Sequence, residues 1–196
     1  ALGGAVSASS GTALTGALAG AGAGATNTIN NTTEASIRDN DTTDTAAYRV
    51  NATAGDVTVN AADHSSIRAD AGGFSIGLAR SGSGSAGSLS VGASVANNTI
   101  GSDTSLVTAY IHGYTVDATG AIDIDASSTA TINALAMGGS GAGSQGVTAS
   151  GALAGAGAGT TNLIQMDIDA HVSQSSTITS GAAFTIDATD VSQIVA

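Results

Sequence analysis

The sequence predicts an all-β fold, a parallel β-helix or β-solenoid, running through residues 1–196 as one unit. Three observations predict it. Segments rich in Ile, Val and Thr alternate apolar and polar residues at period 2, the period of a strand. The alternation returns three times, at a spacing of roughly 62–72 residues, and a period above about 20 residues marks a solenoid, propeller or array. Apolar residues at the 3.6 spacing of helical repeats are lacking.

Taken along the chain, Gly16 to Asn27 reads GALAGAGAGATN and returns as GALAGAGAGTTN from Gly151 to Asn162, with LSVGASVANNTI from Leu89 to Ile100 as the middle copy. The tract resembles silk, where alternating tiny residues let sheets stack closely. We read it as strand rather than linker, because the middle copy keeps the alternation with Leu89, Val91, Ala93 and Val95. Short strands follow at Ala35-Ser36-Ile37, Ala109-Tyr110-Ile111 and Ala170-His171-Val172, and then at Val50, Val116 and Ile178. The first copy carries extra residues near Asn40 to Tyr48, which a solenoid projects from its side.

The strongest block comes next. Val57, Val59, Ala61, Ile67 and Ala69 recur as Ile122, Ile124, Ala126, Ile132 and Ala134, then as Phe184, Ile186, Ala188, Ile194 and Ala196. These residues face inward and form ladders; Asp123 and Asp125 face outward, since two carboxylates inside a core are very costly. The repeats run at about 12–79, 80–142 and 143–196, and dividing each among its strands gives about three coils per repeat. A propeller blade takes about 40–50 residues, which fits less well.

Composition narrows the function. Glycine supplies 28 residues and alanine 40, while Leu, Ile, Val and Phe number only 37. Such a low aliphatic share with a net charge of −11 warns of disorder; the ordered alternation and its repetition argue for a fold. An acidic chain with four arginines and no lysine is not built to track nucleic acid or lie on anionic lipid. The absence of cysteine excludes thiolate metal sites. No apolar run approaches the ~18 residues of a membrane-spanning helix. The chain opens at Ala1 without an initiator Met, so we expect a segment of a longer protein.

The repeats resemble those of filamentous haemagglutinin-like adhesins, very large bacterial secreted and surface proteins that include leukotoxin adhesins. The likeness is carried by GASVANNTI from Gly92 to Ile100, TAYI from Thr108 to Ile111, VDATG from Val116 to Gly120 and IDIDASSTATINALA from Ile122 to Ala136. It implies a right-handed helix in a stalk or fibre, exported to the cell surface and used in attachment. It carries over no catalytic residue. The Gly-Ala tracts, poorer in Val than the family's usual repeat, are the departure.

Candidate sites are few. His64, His112 and His171 occupy different repeat positions and read as surface histidines. Ser-rich stretches lack the strand-to-helix context of a nucleophile elbow. A carbohydrate-cleaving β-helix needs paired carboxylates in a groove, and Asp123 with Asp125 or Asp167 with Asp169 read better as solvated faces. We therefore expect no enzyme. Calcium is the one cofactor candidate, because it wants six to eight hard oxygens; Asp39, Asp41 and Asp44 in the inserted loop and the paired Asp123 and Asp125 would supply them. The same loop, with Asn40, Asp44, Tyr48 and Arg49, is the candidate ligand surface for a host-cell, matrix or glycan partner. The expected function is a non-catalytic extracellular stalk, elongated and flanked by neighbouring repeats. A self-assembling fibre subunit is the alternative; an ice-binding face is disfavoured by the mixed outer residues Thr58, Asp123 and Thr185.

Overall fold

The computed structural model describes residues 1–38 and 48–196. All regular elements among them are strands, and every pair in the sheets is parallel. After β1 (Leu2–Gly11), the first repeat supplies β2 (Thr15–Ile29), β3 (Thr33–Arg38), β4 (Arg49–Ala52), β5 (Val57–Asp63) and β6 (Ser66–Ser81). The second supplies β7 (Ser85–His112), β8 (Thr115–Ala118), β9 (Ile122–Ser128) and β10 (Thr131–Gln145). The third supplies β11 (Ala149–Ser173), β12 (Thr177–Ser180), β13 (Phe184–Asp190) and β14 (Gln193–Val195). They form four sheets: β1-β6-β10-β14; β11-β7-β2 with β3 also on β7; β12-β8-β4; and β13-β9-β5.

Each strand pairs with its counterpart one repeat away. Val57, Ile122 and Phe184 share a row, as do Val59, Ile124 and Ile186. This is the register expected from the sequence. The Gly-Ala tract is strand, but its middle copy starts two residues earlier than expected: Gly16, Gly87 and Gly151 share a row.

The expected three coils per repeat are not what the register shows. The segments taken for separate coils lie in different sheets around one winding, so each repeat adds a single layer to a solenoid-like stack. Long strands use up the residues: β6 alone has 16 and β7 has 28. At ~4.8 Å between strands, three layers stack to about 14 Å, whereas 16 residues of β6 reach about 53 Å within a layer. The described chain is thus broad across its layers and thin along the stack.

The layers have two parts. In the body, Val107, Ile111, Val116, Ile122 and Ile124 close one core, and Ile67, Ile100, Ile132 and Ala96 a second. Between the aliphatic rows sits a polar one. Asn27 Nδ2 donates to Asn98 Oδ1 at 2.9 Å, and Asn98 Nδ2 donates to Asn162 Oδ1 at 2.8 Å. Where β7 bends, Gly101 adopts φ +83°, and a Cβ there would meet Gln165 O at 1.9 Å; only glycine fits.

Beyond the body, β1, β6 and β10 lie face to face with β2, β7 and β11 as a two-sheet fin. Its interior holds only small residues: Gly73, Ser75, Gly77 and Ala79 from β6 meet Ser88, Ser90, Gly92 and Ser94 from β7. The sheets approach to backbone contact. A Cβ at Gly73 would lie 2.1 Å from Ala93 O, and one at Gly92 would lie 2.1 Å from Gly139 O. Ordinary sheets pack at about 10 Å because side chains stand between them. Ser75 and Ser90 hydroxyls bridge the gap at 2.6 Å. The large residues point the other way: Phe74, Leu78, Val91 and Val95 are exposed, at 52%, 49%, 47% and 48%.

Candidate functional site

The residues expected to form a site separate into three places. Asp39, Asn40, Asp41 and Asp44 lie outside the described residues. Tyr48 and Arg49 enter β4 on the flank of the body. The Tyr48 ring stacks on Tyr114 with centroids 5.4 Å apart, and Arg49 ion-pairs with Asp117 across the row to β8. Asp123 and Asp125 lie on β9, pointing away from the core as expected. Their oxygens accept hydrogen bonds from the adjoining layers: Thr185 Oγ1 donates to Asp123 Oδ1 and Asn60 Nδ2 to Asp125 Oδ2, both at 2.8 Å. Among the described residues, no three His, Asp or Glu side chains converge as metal ligands.

A group that the sequence did not bring together lies on the outer face of the second sheet, while the Tyr48–Tyr114 stack is on the core side, where Tyr114 packs against the core. The rows Ser36–Tyr110–His171 and Arg38–His112–Ser173 stand next to each other on that outer face. Parallel pairing at ~4.8 Å brings ring onto ring: Tyr110 stacks on His171 with centroids 5.1 Å apart and planes 2° apart. His112 meets Tyr110 edge-on at 6.5 Å. The Tyr110 hydroxyl donates to Glu34 Oε1 at 2.8 Å, and Arg38 Nε stands 3.6 Å from the same oxygen. The Tyr110 hydroxyl, helped by Ser36 and then Arg38, holds the Glu34 carboxyl below the usual carboxylate range. His171 Nδ1 contacts Asp169 Oδ2 at 2.7 Å, while His112 Nδ1 contacts Ser173 Oγ at 2.9 Å. Acid and hydroxyl thus serve different imidazoles. The result is an aromatic platform with charged edges, chemically suited to stacking and hydrogen bonding. The signal was available: the ASI, AYI and AHV blocks align with Ser36, Tyr110 and His171 at the outward position.

The fin offers a separate surface that holds none of the expected site residues. On its first sheet the outward rows are Leu2–Gly72–Met137, Gly4–Phe74–Gly139, Val6–Ile76–Gly141 and Ala8–Leu78–Gly143. A shallow groove runs past Leu78 to Ser10, Arg80 and Gln145. On the second sheet Leu18, Leu89 and Leu153 form one row and line a groove, with Val91 and Val95 each between glycines of the adjoining layers.

Among the described residues no helix is long and apolar enough to cross a membrane. Comparison with protein-family models, curated proteins and solved structures finds no match.

Proposed function

We propose that this chain is a non-catalytic structural segment of a bacterial surface adhesin or extracellular fibre, a stalk that makes weak ligand contacts through its flank. The observation that supports it best is the row-for-row parallel pairing of three repeats, a geometry in which each layer offers the next an edge of the same shape. The bacterial and extracellular parts rest on the resemblance of the repeats to filamentous haemagglutinin-like adhesins. The winding is taken as right-handed, the hand that connections between parallel strands overwhelmingly adopt. Contact with a host-cell, matrix or glycan ligand would fall on the exposed Arg49 or on the outer platform of Tyr110 and His171.

The test is a binding screen of the folded segment against glycans, matrix proteins and whole cells, with calcium and with a chelator. A stalk gives no saturable high-affinity binding in either condition. Saturable binding to one ligand class, lost on Tyr110→Ala, would make the segment a recognition module instead. Calcium-dependent binding would return attention to Asp123 and Asp125. A second reading, a self-assembling fibre subunit, draws on β2 and β11, which stand at the two edges of their sheet.

A further inference from the structure

We propose that the outer face of the fin's first sheet, from β1, β6 and β10, is a self-association surface, and that its occupant is the same face of a second copy of this chain. Three features of the molecule point there.

The first is inverted patterning. Phe74, Ile76 and Leu78 turn away from a fin interior that has no room for them, since sheet contact is set by Gly73, Gly92 and Gly138. Phe74 and Leu78 stay half exposed although both adjoining layers are present. Contiguous apolar surface of this kind marks an interaction site.

The second is charge. The chain carries −11, so two copies repel wherever their bodies approach. The fin is the exception: residues 2–11, 71–79 and 136–145 contain no ionisable side chain, and Arg80 stands alone at the far end. Face-to-face fins bring uncharged surface together, and the repulsion left between the bodies is screened by salt.

The third is commensurate relief. The β6 ridge of Phe74, Ile76 and Leu78 runs beside the β10 channel of Gly139, Gly141 and Gly143. Phe74 and Leu78 lean over Gly139 and Gly143, while Gly141 is open. A two-fold axis between β6 and β10 sets Ile76 of each copy over the other's open Gly141 and brings the Phe74 and Leu78 side chains of the two copies side by side, an isologous contact. Rows spaced ~4.8 Å apart are matched by another sheet of the same spacing. A lipid surface fits less well, because the fin's edge strands would carry unpaired backbone groups into hydrocarbon.

From the Gly72 row to the Arg80 row the face covers roughly 400 Å², so a pair buries roughly 800–900 Å². That is below the ~1,200 Å² of stable complexes. The association of this three-layer segment is therefore weak.

The experiment is sedimentation equilibrium of the full chain up to its solubility limit, at low and high salt. The expected result is a reversible dimer that tightens as salt screens the bodies and weakens about tenfold in the Phe74→Ser, Leu78→Ser double variant. Val95→Ser, on the opposite fin face, leaves it unchanged. Because the chain has no cysteine, Leu78→Cys supplies a single thiol, and mild oxidation is expected to link two copies through it. A strictly monomeric chain overturns the inference and leaves the stalk proposal standing. So does self-association that ignores Phe74 and Leu78, which would belong to the sheet edges. Flotation with neutral phosphatidylcholine vesicles is the remaining arm: binding that needs Phe74 and Leu78, from a chain that does not self-associate, overturns the second copy in favour of lipid.

Discussion

Asn98 offers the sharpest test of how the layers are held in register. It is 1% exposed, and its amide joins three repeats. Its Oδ1 accepts from Asn27 and its Nδ2 donates to Asn162. Asn98→Ala removes both bonds and leaves one donor and one acceptor facing a small void. A net hydrogen bond contributes about 1 kcal/mol, and stranding a buried partner costs about 1–3 kcal/mol. Asn27 and Asn162 are half-buried, so water recovers part of that. The expected loss is about 2–3 kcal/mol, read as a shift of the urea midpoint by far-UV circular dichroism. Asn97, next in sequence but facing outward, is the control, and its alanine variant should stay within about 0.5 kcal/mol. Asn98→Asp adds a pH dependence. Burial and the Asn162 acceptor favour the protonated form, so the folded-state pKa of the introduced carboxyl is raised above its unfolded value of about 3.9. Below that value the acid donates as the amide did, and the variant approaches wild type. Stability falls as pH rises from there to the folded pKa, then stays low. An Asn98→Ala loss no larger than that of Asn97→Ala, or an Asn98→Asp loss indifferent to pH, would refute the ladder as a source of stability.

Three further outcomes are expected. Gly73→Val drives a side chain against the Ala93 carbonyl and separates the fin sheets, costing about 2–3 kcal/mol; the neighbouring outward Gly72→Ala meets only the flexible Leu2 side chain and is tolerated, both read by thermal melting. Tyr110→Phe removes the main donor to Glu34, so the Glu34 carboxyl titrates closer to the ordinary glutamate value in an NMR pH series. Because its folded pKa is depressed, the small stabilisation from Glu34 is present above the unfolded pKa and lost as pH falls through the folded one. Small-angle scattering of the monomeric chain should report a broad slab about 14 Å thick along the stack; a rod about 43 Å long, as three coils per repeat would give, would refute one layer per repeat.

Much of this architecture was legible in the chain. The offsets that align Val57 with Ile122 and Ile122 with Phe184 are the strand register itself, because a parallel stack pairs equivalent residues. Outward placement of Asp123 and Asp125 followed from desolvation cost alone. The number of coils did not follow. Period 2 tells which face a residue occupies but not which sheet its strand joins, so several alternating segments in one repeat looked like several turns. The fin was hidden for a different reason. Patterning assigns the larger residue of each pair to the interior, yet Leu89, Val91 and Val95 face out while Ser88, Ser90 and Ser94 face in. That inversion is decided by the opposite sheet, whose glycines permit backbone contact only if no side chain intervenes. The stacking of Tyr110 on His171 was readable from aligned blocks, but only once each repeat is known to be one layer.

One layer per repeat also changes what such a segment is good for. A repeat of roughly 65 residues that advances about 4.8 Å is a costly way to gain length, since a three-coil repeat of the same size would advance about three times as far. What the long layer provides instead is lateral surface: a fin some 30 Å or more in reach at ~3.3 Å per residue, and an outer face that presents Tyr110, His112 and His171 in adjoining layers. Small residues make this economical in stability, because the fin interior depends on backbone proximity and Ser75–Ser90 bridging rather than on large side chains. The aliphatic residues that a thicker core would have buried are then free to face outward on both sides of the fin. In the described layers that outward strip is most pronounced on β6, where Phe74, Ile76 and Leu78 stand between smaller residues of β1 and β10, an uncharged ridge open to whatever lies beside it.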